Sequence, residues 1–154
     1  MNESEIFKAS LSKSMALCSK REYCPEDIRV RLREWGQNEQ GIRKIIEILI
    51  SEKFIDEIRY SRAFARDKFN YNKWGKLKIS AALRMKKIPS GIISDALESI
   101  DNELYLNTLK NLILSHRKTV KAKNQYDLKG KLMRYALSKG FENGLVYDIL
   151  NMEE

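Results

Sequence analysis

Residues 42–50 read Ile-Arg-Lys-Ile-Ile-Glu-Ile-Leu-Ile, the clearest amphipathic stretch in the chain. The apolar members recur at i, i+3, i+4, i+7 and i+8, and they are Ile42, Ile45, Ile46, Leu49 and Ile50. This spacing puts all five side chains on one face of an α-helix. The stretch therefore predicts a helix whose apolar face is buried against other helices.

The preceding stretch predicts two more helices. Pro25 suits the first position of a helix, where its missing N–H costs nothing, and acidic Glu26 and Asp27 follow in the first turn. This helix is expected to end near Gly36. A looser helical spacing over residues 5–19 predicts another helix before it.

The same pattern recurs further along the chain. A shift of 51 residues places Ile28 on Ile79 and Leu32 on Leu83, and a further shift of 53 places residues 91–97 on residues 144–150. The sequence therefore predicts an all-α fold of three tandem three-helix units, 1–53, 54–101 and 102–154. Units of this size share core with their neighbours, which favours an elongated, curved body.

Positive charge is concentrated in two segments of this 154-residue chain, whose net charge is +8. Residues 59–94 hold ten basic residues and one acidic residue, Asp67, and residues 107–141 hold nine basic residues and one acidic residue, Asp127. Residues 1–58 are nearly neutral. Two basic segments indicate a polyanionic or acidic partner, or else a solvated basic face.

The predicted positions of the helices narrow the set of basic residues that are candidates for binding a partner. Lys76, Arg84 and Lys87 are predicted to form one stripe opposite Ile79 and Leu83. Other candidates lie on the preceding helix, in a predicted loop at 117–123 and on the helix beyond it. The full candidate set is Arg59, Arg62, Arg66, Lys73, Lys76, Arg84, Lys87, Arg117, Lys118, Lys121, Lys123, Lys131 and Arg134.

The residues that carry chemistry weigh against an enzyme. His116 is the sole histidine, and its cationic neighbours favour an exposed, neutral ring. Cys18 and Cys24 have no histidine near them, so we expect buried, reduced thiols and no zinc site. Asp56 is expected to cap the helix that follows it. No catalytic residue, metal or cofactor is predicted.

Composition gives three further expectations. No apolar run approaches the length of a membrane helix, and the acidic N-terminus does not resemble a secretory signal. We therefore expect a cytoplasmic protein, and tandem repeats favour a monomer. Aromatic residues cluster near the predicted helix ends. We interpret them chiefly as residues that pack between helices, and less as surfaces on which bases stack.

Several segments carry a resemblance to a known family. They are Arg21-Glu22-Tyr23, Lys53-Phe54-Ile55-Asp56-Glu57-Ile58-Arg59-Tyr60-Ser61, Trp74-Gly75-Lys76-Leu77-Lys78-Ile79 and Gly140-Phe141. With these segments in this order, the sequence resembles the RecX regulatory proteins, the bacterial modulators of the recombinase RecA. The likeness covers roughly residues 10–151. It departs mildly at Glu57, Ser61 and Cys24-Pro25, where helices start.

The resemblance implies a non-enzymatic regulator of DNA recombination, DNA repair and the SOS response. Such a protein binds the RecA–DNA filament, inhibits its ATPase and strand exchange, and limits filament extension. Weak, sequence-independent binding to single-stranded or duplex DNA is also expected. Two alternatives remain open at this point: a stand-alone DNA-binding protein with helix-turn-helix-like units, and an adaptor with a solvated basic face.

Overall fold

The structure, a computed structural model, describes residues 2–152. Within this range the chain forms nine α-helices and no strand, as the sequence predicts. The helices are α1 (Glu3–Lys20), α2 (Pro25–Glu34), α3 (Glu39–Ser51), α4 (Glu57–Asn72), α5 (Lys76–Met85), α6 (Ser90–Glu98), α7 (Asn102–Arg117), α8 (Gln125–Ser138) and α9 (Asn143–Met152). No helix in the described range is long and apolar enough to cross a membrane.

Local sequence signals account for the helix starts. Pro25 occupies the first position of α2, as predicted. Asp56 caps α4 as predicted, because its Oδ1 accepts a hydrogen bond from the Arg59 backbone N–H at 3.0 Å. Asn38 caps α3 in the same way, accepting from the Gly41 N–H at 2.8 Å. These caps fix where each amphipathic face begins.

The repeat seen in the sequence is also present in the backbone. Gly36, Lys87 and Gly140 follow the second helix of each unit, and all three have a positive φ, of 85°, 61° and 97°. Each is followed by the same hydrogen bond back into the helix: Gln37 N to Leu32 O, Ile88 N to Leu83 O, and Phe141 N to Ala136 O, at 3.0, 3.2 and 3.2 Å. The repeat offsets of 51 and 53 residues are therefore confirmed by an identical turn.

The hydrophobic core has two parts. The first lies within α1–α3 and the segment after them, and includes Ile28, Leu32 and Ile45. The second joins α4–α6 to α7–α9 in one continuous cluster, which includes Leu83 and Phe141. We call α1–α3, α4–α6 and α7–α9 the first, second and third units. The exact boundaries after residues 53 and 101 stay predictions.

The surface area agrees with an elongated body. The chain exposes 9643 Å². A compact monomer of 18.0 kDa would expose roughly 8,000 Å². Tandem units contact only their neighbours in the chain, so more surface stays in contact with water than in a sphere.

Candidate binding surface

The three predicted arginines of α4 differ in their surroundings. The Arg59 Nε lies 2.6 Å from Glu22 Oε2 of the first unit, and this hydrogen bond raises the pKa of Arg59. Arg62 forms two hydrogen bonds to the Asp95 carboxylate, at 2.7 and 2.8 Å. Arg66 is exposed, and its ion pair with neighbouring Asp67 is long, at 3.7 Å. Arg59 and Arg62 therefore join elements of the fold, whereas Arg66 remains open to a partner.

The predicted stripe on α5 is wrong in its geometry. The helix ends at Met85, so Lys87 lies beyond it in the left-handed turn, and its Nζ is 2.9 Å from Glu26 of the first unit. Lys76 is half-buried, with its Nζ 4.8 Å from the centroid of the Tyr105 ring. Arg84 is exposed and donates to Ser80 at 3.3 Å. The three cations therefore do not form one exposed stripe on α5.

Lys73 lies between α4 and α5. It caps α4 in the left-handed conformation, with φ at 57°, and its Nζ donates to the Asn70 carbonyl at 2.7 Å. Its main contact is therefore with its own helix end.

The basic residues of the third unit are more open. Arg117 is the last residue of α7 and half-buried, a correction to its predicted place in a loop. Lys118, Lys121 and Lys123 lie in the exposed segment between α7 and α8, and their side chains form no ion pair within residues 2–152. Lys131 pairs with Asp127 at 3.3 Å. Arg134 is exposed on α8.

The structure also corrects two predictions about polar side chains. His116 is half-buried rather than exposed, because its ring stacks on Tyr135 with centroids 3.8 Å apart. Cys24 is buried, as predicted, and burial raises the pKa of its thiol to about 11. Cys18 is only half-buried, which departs from the prediction. Residues 2–152 contain no cluster of ligands suited to a metal ion.

Sequence reasoning missed a cleft of about 780 Å³ between the first and second units. One wall comes from Arg21, Tyr23 and α2, and the other comes from α4. Arg31 and Tyr71 both line it. No local signal could reveal it, because the two walls are some forty residues apart in sequence.

Comparisons with known proteins agree on one family. Residues 56–97 match the family model described as "RecX, second three-helix domain". The Regulatory protein RecX of Clostridium acetobutylicum is 30% identical over 96% of this chain and 70% of its own length. That of Clostridium botulinum is 29% identical over 81% of this chain and 59% of its own length. That of Prosthecochloris aestuarii is 25% identical over 98% and 97% of the two chains.

Two crystal structures share the fold. RecX from Lactobacillus salivarius superposes with a TM-score of 0.84 at 21% identity, over 97% of each chain. Another regulatory protein RecX superposes with a TM-score of 0.83 at 23% identity, over 97% of this chain and 73% of that one. Sequence relatives and fold point the same way, and the chain belongs to the RecX family of regulatory proteins.

Proposed function

We propose that this protein binds the RecA–DNA filament and inhibits its ATP hydrolysis, strand exchange and extension, thereby modulating homologous recombination and DNA repair. One observation carries the proposal: 30% identity to a regulatory protein RecX over 96% of the chain. A cytoplasmic monomer with weak, sequence-independent affinity for DNA is part of the same proposal.

The repeated architecture suits a filament as a target. Three similar units follow one another along the chain, so separate units could contact successive protomers of a filament. Several modest contacts made by one molecule add avidity. Inhibition then needs no chemistry of its own, because a bound body that favours a less competent arrangement of protomers is sufficient.

The cations without a close internal partner are the best candidates for the contact surface. Arg66, Lys118, Lys121, Lys123 and Arg134 are all exposed. By contrast, Arg59, Arg62, Lys76 and Lys87 make contacts that hold the fold together. We therefore assign the filament contact chiefly to the first group.

The stand-alone DNA-binding alternative is less well supported. In helix-turn-helix proteins a recognition helix enters the DNA groove, and the surface that meets the phosphates is basic. The last helices of the three units are not basic: α3 is neutral, α6 carries two acidic residues and no basic one, and α9 carries only Asp148.

The first test measures RecA ATP hydrolysis on single-stranded DNA, with and without this protein, at two salt concentrations. We expect inhibition at less than one molecule per recombinase protomer. The triple variant Lys118→Glu, Lys121→Glu, Lys123→Glu should need at least about tenfold more protein. A matched variant of three exposed first-unit cations, Lys8→Glu, Arg43→Glu and Lys44→Glu, should change the requirement far less.

Unchanged ATP hydrolysis at saturating protein would contradict the proposed function. If the protein then footprinted specific duplex sequences without RecA, the stand-alone alternative would replace it. Equal effects of the two triple variants would instead contradict the assignment of the contact surface to the segment between α7 and α8.

A further inference from the structure

The cleft between the first and second units has cations on both walls. Arg21 and Arg31 come from the first unit, and Arg66 and Lys68 come from α4. No ion pair engages Arg31 within the described part of the chain. The cleft therefore offers positive charge from two sides to anything that enters it.

The acidic residues in the lining are already paired. The Glu22 carboxylate lies 2.6 Å from Arg59, and the Asp27 carboxylate lies 2.5 Å from Lys86. Asp67, the third acidic residue, lies beside Arg66 at 3.7 Å. Five cations and three carboxylates line the cleft, and the Glu22 carboxylate is paired with Arg59 outside the lining, so the charge offered to a ligand is positive.

Aromatic rings complete the lining. Tyr71 lines the cleft and is 81% exposed, so the faces of its ring are accessible to a ligand. Phe64 is half-buried in the same cleft and stacks on Tyr60, with centroids 6.0 Å apart. A positively charged groove with accessible aromatic faces is the usual arrangement for binding single-stranded nucleic acid.

We propose that this cleft binds single-stranded DNA, with phosphates on Arg21, Arg31 and Arg66 and a base stacked on Tyr71. An acidic peptide would satisfy the cations but would leave the exposed ring without a flat partner. In a duplex the base faces are already stacked on each other, so Tyr71 could not reach one. The inference deepens the proposed function, on which it rests for its biological setting.

The cleft lies between the first and second units, so a ligand bound in it contacts both. A strand held by both walls connects the first unit to the second, so it restrains the two units relative to each other. Binding of single-stranded DNA should accordingly reduce opening at this joint.

The test is fluorescence anisotropy with three labelled probes: a 20-nucleotide poly-dT strand, an abasic strand of equal length and a duplex hairpin. Tyr71→Ala should weaken poly-dT binding by about 5- to 50-fold and leave abasic binding unchanged, because only the base stack is lost. Arg31→Glu should weaken both single strands by at least about tenfold and make their salt dependence shallower. The hairpin should bind more weakly than poly-dT to the unmodified protein.

Matched controls lie outside the cleft. Tyr126→Ala removes a tyrosine that is 89% exposed in the third unit, and Arg43→Glu reverses an exposed first-unit charge. Both should affect poly-dT binding less than about twofold. Equal effects of Tyr71→Ala and Tyr126→Ala, or equal loss on abasic and poly-dT strands, would overturn the proposal.

A parallel RecA ATPase assay separates the two proposals. If the unmodified protein inhibits RecA but Tyr71→Ala binds poly-dT normally, the cleft inference fails and the proposed function stands. If Tyr71→Ala loses poly-dT binding and the unmodified protein leaves RecA unaffected, the cleft inference stands and the proposed function fails. Unchanged thermal unfolding of Tyr71→Ala would show that the fold is intact.

Discussion

The joint between the first and second units differs in kind from the joint between the second and third. Side chains make most of the polar contacts at the first joint. Arg59 pairs with Glu22 at 2.6 Å, and Lys86 pairs with Asp27 at 2.5 Å. Lys87 pairs with Glu26 at 2.9 Å. All three cationic side chains are more than two-fifths exposed, so water and salt reach these contacts.

Backbone groups make the second joint. The Gly75 N–H donates to the Lys139 carbonyl at 2.7 Å, and the Leu77 N–H donates to the Gly140 carbonyl at 2.9 Å. The approach is so close that a Cβ on Gly75 would lie 2.3 Å from the Gly140 carbonyl carbon. The Tyr105 hydroxyl of the third unit reinforces the joint by accepting a hydrogen bond from the Lys76 backbone N–H at 2.9 Å, and it donates to Glu142 of its own unit.

The difference shows how two joints in one repeat protein acquire different stiffness. Partly exposed ion pairs contribute about 0–1 kcal/mol each and weaken with salt. A backbone contact beneath a shared hydrophobic core does not depend on salt in that way. We therefore expect the first joint to open more readily than the second, and it is the first joint that holds the cleft.

The largest effects should come from charges placed in the two parts of the core. Leu83→Asp should unfold the second and third units together, because their core is continuous. Ile46→Asp should unfold the first unit and leave the other two folded, because its cluster is separate. Each buries an unpaired charge and should cost more than about 3 kcal/mol. Hydrogen exchange followed by mass spectrometry would localise the loss, and uniform loss in both variants would contradict the division.

Replacing two glycines with alanine should distinguish the cost of backbone strain from the cost of a steric clash at the second joint. Gly140→Ala places a Cβ 2.3 Å from the Lys78 Cβ at a φ of 97°, and we expect a loss of about 2–4 kcal/mol in urea unfolding. Gly36→Ala has a similar φ of 85° but open space around it, so it should cost only about 1 kcal/mol. Equal losses would mean that the tight contact contributes nothing.

Removing one ion pair from the first joint should have a small, salt-dependent effect. Arg59→Gln or Lys86→Gln should lower the free energy of unfolding by about 0.2–1 kcal/mol at low salt. The loss should shrink in 1 M NaCl, where the screening length is about 3 Å. Losses that are the same at both salt concentrations would show that the side chains act by packing.

The smallest effect concerns an ion pair inside one unit. The two hydrogen bonds from Arg62 lower the pKa of Asp95, so the carboxylate stabilises the fold above its ordinary pKa and loses this contribution as pH falls. Asp95→Asn should therefore reduce the dependence of unfolding on pH on the acid side, below about pH 5, without affecting the first joint. An unchanged pH profile in acid titrations followed by circular dichroism would refute this role.

Much of the fold could be predicted because its signals are local. The 3.6-residue spacing of Ile42, Ile45, Ile46 and Leu49 requires one buried face, and all four are buried. Ile50, which is predicted to share that face, is 48% exposed, a correction at the last turn of α3. Capping residues such as Asp56 fix the helix starts. The repeat offset of 51 could be read directly from residues 28–32 and 79–83, which occupy equivalent places in the first two units.

The binding surface could not be predicted as well, because a cation's role depends on distant partners. Arg62 meets Asp95, 33 residues away, and Lys86 meets Asp27, 59 residues away. The sequence shows the charges but not these pairings, so residues that hold the fold were grouped with residues that are open to a partner. The cleft could not be predicted for the same reason, because its two walls are distant from each other in sequence.

Alkylation of Cys24 measures how readily the first joint opens. Cys24 belongs to the first unit but is fully buried against the core of the second, so it reacts only when the first joint opens. In a Cys18→Ser background, replacing Arg59, Lys86 and Lys87 with Gln should raise the alkylation rate of Cys24 at least threefold. The reason is that the free energy of opening the first joint should fall by about 1 kcal/mol when the three ion pairs are lost.

The comparator is Val146→Cys, fully buried in the core shared by the second and third units, in a chain that also carries Cys18→Ser and Cys24→Ala. The same three Gln substitutions should leave its alkylation rate unchanged. An unchanged Cys24 rate, or an equal increase at both probes, would contradict the account of one adjustable joint and one fixed joint.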